Sequence, residues 1–263
     1  MMHLRRLSGI TGRSRHDSAN AAWKTACKRS VVPPMKASVA MRSNQRGFAQ
    51  AVRSVANFGM MNNVPSTIPP DFHHIEPPSG DFRFIAVDVE TAGYDIASIC
   101  QIGLAFVGFD SSIATYSTYI DPCTPFAHGN TRLHGIDAKT VIGAPKFAKL
   151  LPELRLILET HPLVQHSRFD EKSFDGACRL ANLPVLRSVW TDSVAVARKA
   201  WPELRGNGGH GLGNLKKVLG LRFRHHDAGE DARAAAEVVP MAEASLGEKI
   251  RMLNASQQLV FDF

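Results

Sequence analysis

The sequence predicts an α/β domain, a mixed β-sheet with helices packed on it, beginning near residue 81. Three observations carry that expectation. Between Phe82 and Ile120, three apolar or alternating stretches follow one another with short, turn-rich links, as in an antiparallel meander. Beyond Pro145, short apolar runs alternate with stretches whose apolar residues recur at three and four, the pattern of strands alternating with helices. The first strand also ends on two carboxylates one residue apart, Asp88 and Glu90. Strand side chains alternate faces, so the two project from one side of the sheet.

The elements follow in order. Residues 82–89 form a first strand, Ile99–Val107 a second, and Ile113–Ile120, rich in Thr and Tyr, a third. After Ile120 the chemistry is that of a loop: Asp121-Pro122, Pro125, His128-Gly129-Asn130 and His134-Gly135-Ile136. A helix spans about 145–160, with Phe147, Leu150, Leu151, Leu154, Ile157 and Leu158 on its apolar face. Residues 162–166 make a fourth short strand, which feeds Asp170 and a helix over 172–181. Val189 and Trp190 end a fifth strand. Thr191-Asp192-Ser193 then caps a helix running to Trp201-Pro202. Helices over 213–219 and, rich in alanine, over 231–246 complete the domain.

Charge is divided unevenly. The formal net charge is +7, but residues 1–80 hold eleven Lys/Arg against three acids, leaving 20 basic and 21 acidic residues for 81–263. The N-terminal 80 residues lack a sustained period and carry repeated prolines, so they read as a disordered extension with a weak helix around 50–57. Three readings compete for them: a basic arm attracted to phosphates, an Arg- and Ser-rich transit peptide, or an over-extended reading frame. The Met60-Met61-Asn62-Asn63 stretch favours the last, with the start at Met60 or Met61. The four cysteines, Cys27, Cys100, Cys123 and Cys178, show no C-x-x-C spacing and read as reduced thiols. No apolar run approaches the roughly 18–20 residues of a membrane span. The expectation is a soluble, cytoplasmic protein with no membrane partner.

Each chemically suggestive residue has an ordinary reading when taken alone. Asp88-Val89-Glu90 can be a strand running out into a polar turn, Asp170 a helix cap, and His226 a surface loop residue. Together they point elsewhere. Paired carboxylates on a buried strand raise each other's pKa unless a cation neutralises them. Asp88, Glu90, Asp170 and Asp231 at the rim of one sheet, with His226 on the preceding loop, make a site for two cations and in-line attack on a phosphodiester. Hard oxygen ligands without a Cys or His set suit Mg²⁺ or Mn²⁺. A histidine near its ordinary pKa suits a base that takes a proton from the attacking water.

On these motifs the chain resembles the DEDDh group of 3′–5′ exonucleases, the family of the epsilon proofreading subunit of bacterial DNA polymerase III. The D-x-E-T motif stands as Asp88-Val89-Glu90-Thr91, the second motif as Phe169-Asp170, and H-x-A-x-x-D-A as His226 to Ala232. The resemblance covers about residues 81–245. It implies a ribonuclease-H-like fold, a five-stranded mixed sheet flanked by helices. It also implies Asp88, Glu90, Asp170 and Asp231 as ligands of two Mg²⁺ or Mn²⁺ ions and His226 as general base. Thr91 and Ala92 would lie against the 3′-terminal nucleotide, and His134 falls in a loop similar to the family's H-G-I segment near the substrate channel. His166 stands where many members have Asn, and a polar contact to substrate is expected of it. Phe169 is expected to pack in the core beneath the site, and His225 to stay outside the catalytic set. The implied substrates are single-stranded DNA or frayed 3′ ends, with RNA as the alternative.

Residues 247–263 form a separate tail. Gln258-Leu259-Val260-Phe261-Asp262-Phe263 looks like the short peptide that bacterial replication proteins insert into a sliding clamp, with Gln258, Phe261 and Phe263 as anchors. A tail folded back on its own domain is the plain alternative. The tail leaves a second function class open, an accessory module tethered to clamp or polymerase without catalysis.

Overall fold

The computed structural model describes residues 76–254. The N-terminal extension through residue 75, including the expected helix at 50–57, and the tail anchors Gln258, Phe261 and Phe263 lie outside the described residues. A five-stranded mixed sheet has the order β3-β2-β1-β4-β5. Its strands are β1 (Phe84–Thr91), β2 (Ile99–Val107), β3 (Ile113–Tyr119), β4 (Leu163–Gln165) and β5 (Trp190–Asp192). The first three form the expected antiparallel meander. β4 and β5 extend the sheet in parallel on the other side of β1. β1 is therefore central.

Among the described residues six α-helices flank the sheet: α1 (His128–His134), α2 (Phe147–Thr160), α3 (Phe169–Leu180), α4 (Ser193–Ala200), α5 (Leu212–Leu219) and α6 (Ala228–Leu246). The alternation of β1 sorts them into layers. Ile85, Val87 and Val89 face a large cluster with Phe147, Leu151, Leu154 and Phe174 of α2 and α3. Phe84 and Ala86 face Ala232, Ala235, Ala236 and Val239 of α6. Small side chains let that helix lie close to the sheet, and Asp88 and Glu90 continue the same face. Burial beneath an alanine-rich helix thus gives way, from two residues on, to carboxylates, Asp88 half-buried and Glu90 buried.

Several boundaries differ from expectation. β1 runs two residues further and takes Glu90 and Thr91 into the strand, because Glu90 pairs with Gln101 before the register shifts at Thr91. Asp192 ends β5 and also caps α4, accepting a 2.8 Å hydrogen bond from the Val194 N–H. α1 replaces part of the expected loop; it buries no residue, so it leaves no apolar period to read. Cys100 and Cys178 are buried free thiols. Cys123 is disulfide-bonded, which corrects the expectation of a reduced thiol at that position. Among the described residues no helix is long and apolar enough to cross a membrane.

Candidate active site

Asp88, Glu90 and Asp231 converge, each offering a carboxylate oxygen within 4.8 Å of the others. The first two come from adjacent same-face positions of β1, and the third from the first turn of α6. That turn is held against the sheet by two contacts, at Gly103 and Gln101 of β2. Asp88 pairs across the hairpin with Gly103, and Glu90 with Gln101. Gly103 lets the α6 backbone approach so closely that an added Cβ would lie 2.0 Å from the Ala228 carbonyl. Gln101 Oε1 accepts from the Ala228 N–H at 3.1 Å, while its amide donates to Ser117 Oγ at 3.1 Å. Asp227 closes the turn, accepting from the Glu230 N–H at 3.3 Å.

Asp170 arrives from the opposite layer. α3 begins at Phe169, not Lys172, so Asp170 sits inside the first turn instead of ahead of it. Its Oδ1 accepts the Val89 N–H at 3.1 Å, which ties it to the strand between Asp88 and Glu90. Gln165 steadies the same turn. Its Oε1 accepts the Glu171 N–H at 3.0 Å, and its amide donates to Glu171 Oε2 at 3.3 Å. The intervening Ser167 has a left-handed backbone, φ 94°, as does His226, φ 68°, on the loop before α6. Non-glycine residues held there are uncommon, and both flank the acids.

The electrostatics follow from crowding. Burial, with Asp170, Asp231 and Glu90 as like-charged neighbours, holds Asp88 well above the usual carboxylate range. Burial and the nearby Asp231 and Asp170 push Glu90 up to about 8. Asp170 rises to about 8, chiefly through burial. Asp231 is also raised by burial, opposed by hydrogen bonds from the His226 N–H and the His225 ring. Four carboxyl groups that resist ionising together form a ready cation site.

A cavity of about 460 Å³ opens over them, lined by the four acids, Thr91, His166, Phe169 and His226, with Tyr94 and Leu133 at its walls. Thr91 Oγ1 donates to the Gly93 carbonyl at 3.3 Å. Phe169 is 40% exposed on the cavity wall, which corrects the expectation of a core position; the earlier start of α3 turns it outward. Ala92 is fully buried among Cys100, Ile136 and Val141, away from the cavity lining. His134 also lies outside the lining. Its Nδ1 accepts the Ile136 N–H at 3.0 Å, so Nε2 carries the proton and donates to the Thr91 carbonyl at 3.1 Å. Asn130, one helical turn earlier, donates to the same carbonyl at 2.9 Å. His166 lines the cavity with both ring nitrogens engaged, Nδ1 with Ser193 Oγ at 2.8 Å and Nε2 donating to the His210 carbonyl at 2.9 Å. Burial pushes its pKa down to about 4. It ties the end of β4 to α4 and to the loop before α5.

His226 lines the cavity with its ring free of hydrogen bonds among the described residues, and burial lowers its pKa. The neighbouring His225 takes part as well: its Nδ1 lies 2.9 Å from Asp231 Oδ2, and its ring stacks on His226 with centroids 4.0 Å apart. Gly103, Gln101, Asn130 and His225 were not singled out by sequence reasoning as parts of the site. Cross-strand register identifies the first two, and the four-residue spacing of Asn130 and His134 on one short helix identifies the third.

Clustered carboxylates beside a histidine, gathered at the central strand of a sheet with this order, mark the ribonuclease-H-like class of fold. Residues 85–239 match the RNase_T family model, described as exonuclease, and the chain belongs to that family. The PolC-type DNA polymerase III of Streptococcus suis is 27% identical over 205 residues, 76% of this chain and 14% of that protein. Its counterpart in Streptococcus agalactiae serotype III is 28% identical over 206 residues, again 76% and 14%. The chain thus spans about a seventh of the length of the curated relatives it matches. Among solved structures, the nuclease domain of 3′hExo, a DEDDh family member bound to rAMP, superposes with TM-score 0.55 at 18% identity, over 65% of this chain and 96% of that one. Exonuclease X in complex with 5′ overhanging duplex DNA gives 0.50 at 23% identity, over 66% and 96%. The shared fold is the DEDDh exonuclease fold, whose family generally uses divalent metal ions.

Proposed function

We propose that the chain is a 3′–5′ exonuclease that releases nucleoside monophosphates from single-stranded DNA or frayed 3′ ends, in repair or proofreading-type processing in the cytoplasm. The observation that carries this reading is the meeting of Asp88, Glu90 and Asp231 within 4.8 Å, with Asp170 tied beside them, on the wall of one open cavity.

The donor set fits the expected cations. It supplies carboxylate oxygens, whose raised pKa values are what an unneutralised cluster of ligands produces, and two Mg²⁺ or Mn²⁺ ions suit that chemistry. Divalent cations, when bound there, would supply the charge that lowers the pKa of the attacking water and offsets charge on the departing oxygen. The chain's own residues do the rest. Asp88, Glu90, Asp170 and Asp231 would hold the cations. His226, kept neutral by burial, accepts the proton of the attacking water. Thr91 is held at the strand end by His134 and Asn130, ready to meet the terminal nucleotide. The rings of Tyr94 and Phe169 suit stacking against bases, with Leu133 as an apolar contact beside them, which favours single strands without choosing a sequence.

Digestion of 5′-labelled single-stranded DNA and its RNA counterpart, with and without EDTA, tests the reading. A ladder shortening from the 3′ end, lost in EDTA and in Asp88→Ala, is expected, with DNA cut faster. Faster trimming of RNA would reassign the chain to an exoribonuclease. No cleavage of either by folded, metal-loaded protein would reduce it to a tethering module. The clamp-binding reading of Gln258, Phe261 and Phe263 is tested separately: deletion of 257–263 should abolish binding to a sliding clamp and spare cleavage of short oligonucleotides.

A further inference from the structure

We infer that His225, His226 and Asp231 form a second cation site, suited to Zn²⁺, that overlaps the carboxylate cluster through Asp231. One nitrogen of each ring and one Asp231 oxygen lie within 4.8 Å of one another. His225 Nδ1 already stands 2.9 Å from Asp231 Oδ2 and 3.1 Å from Oδ1. A tetrahedral ion bound at about 2.0–2.1 Å needs ligand atoms about 3.3 Å apart, a spacing between the closest of these contacts and the outer limit of the set.

Asp231 and the backbone of His226 are held in place by the chain, and the His225 ring is the part that moves. The left-handed turn at His226 is fastened by its own N–H, which donates to Asp231 Oδ2 at 2.9 Å. The two rings stack nearly parallel, 15° apart, so their in-plane lone pairs meet on one ion only once His225 turns out of the stack, and the His225 and Phe223 rings pack edge to face with centroids 5.8 Å apart. Asp231 is buried and anchored on α6, whereas the His225 side chain is 38% exposed and can rotate to receive an ion from solvent.

Chemistry separates this site from its neighbour. Two imidazoles and one carboxylate are a borderline donor set that favours Zn²⁺, with a fourth position left to water. Asp88, Glu90 and Asp231 offer oxygen alone, which favours Mg²⁺ or Mn²⁺. Asp231 belongs to both. Zn²⁺ bound to the histidine set therefore withdraws one carboxylate and the His226 ring from the catalytic arrangement and inhibits the enzyme. That consequence rests on the exonuclease reading, but the site itself does not.

The test measures Zn²⁺ alone, by competition with a chromophoric chelator, on the full chain carrying Asp88→Asn and Glu90→Gln to disable the oxygen cluster. The expected result is one bound Zn²⁺ per chain, not displaced by millimolar Mg²⁺. Adding His225→Phe, which keeps a ring against Phe223 and removes the ligand nitrogen, should weaken binding at least tenfold. No stoichiometric Zn²⁺ in the double variant, or unchanged affinity after His225→Phe, overturns the proposal. Thermal melts of each variant establish that the fold is intact. Nuclease assays on the native chain then read the regulation, with Zn²⁺ inhibiting in a Mg²⁺ background and His225→Phe raising the inhibitory concentration at least tenfold. A chain with no nuclease activity refutes the exonuclease reading and leaves the binding result standing.

Discussion

Gly103→Ala isolates what brings Asp231 to the carboxylates of β1. The added methyl would lie 2.0 Å from both the carbonyl carbon and oxygen of Ala228 and 2.3 Å from the Gly229 nitrogen, where real Cβ contacts essentially never fall below 3.0 Å. All three are backbone atoms, so no side chain can rotate away. The first turn of α6 must therefore retreat by about 1 Å, which breaks the 3.1 Å hydrogen bond from the Ala228 N–H to Gln101. Overpacking costs about 1–3 kcal/mol and the lost hydrogen bond about 1. A loss of about 3 kcal/mol should lower the melting temperature by about 6–12 °C in a domain of this size. Displacing Asp231 by that distance should slow cleavage on the order of 100-fold, beyond what the stability loss explains at a temperature where the variant is folded. Scanning fluorimetry and a single-turnover nuclease assay read the two effects. Gly129→Ala is the control: nothing lies within 4 Å of its added methyl on the exposed helix α1, so it should be neutral or gain about 0.5–1 kcal/mol. A Gly103→Ala protein that melts like the native one and cleaves at the native rate would refute the argument.

The metal-free protein should lose stability as pH rises from about 5 to 8. The folded state keeps protons on Glu90 and Asp170 up to about 8, whereas the unfolded chain releases them near 4. Saturating Mg²⁺, which binds the ionised oxygens, should flatten or reverse that slope, and a metal-free melting temperature that climbs over this range contradicts the reading. By the same logic Asp88→Asn should melt higher than the native chain in EDTA while losing cleavage in Mg²⁺. His166→Phe removes the partners of Ser193 and of the His210 carbonyl, so a destabilisation of about 1–3 kcal/mol with little change in KM is expected. A large rise in KM at unchanged stability would make His166 a substrate contact instead. Arg83→Met strips the buried Glu243 of its guanidinium partner and leaves it Lys249 and the Ile250 N–H. Denaturant unfolding should register a loss of about 1–3 kcal/mol.

The residues that carry charge were legible in the sequence because the chemistry restricts their type. Phosphate hydrolysis with oxygen-bound cations requires acids, and a strand of period two that ends Asp88-Val89-Glu90 announces two of them on one face. The layers were legible for a similar reason: α2 and α6 bury long apolar or alanine-rich faces, and their periodicity survives in the sequence. α1 has no buried residue and so left no pattern, although Asn130 and His134 on it hold the Thr91 carbonyl. The expectation for Phe169 is a core position beneath the site. A helix beginning three residues earlier than expected turns it to the cavity wall instead.

What the sequence did not disclose is positional rather than chemical. Gly103 matters because it faces Asp88 across the hairpin, and Gln101 because it faces Glu90; neither relation exists until the register is set. A one-residue slip would exchange the faces of β2 and put a larger side chain where the α6 backbone now lies against Gly103. Asp231 would then stand off from Asp88 and Glu90 even though every acid of the site remained in the chain. The β1–β2 register and the hydrogen bonds at Gln101 therefore shape the site alongside the carboxylates. They act by fixing where α6 begins, and a sequence that kept the acids while losing this docking would bind cations poorly and lose stability as well.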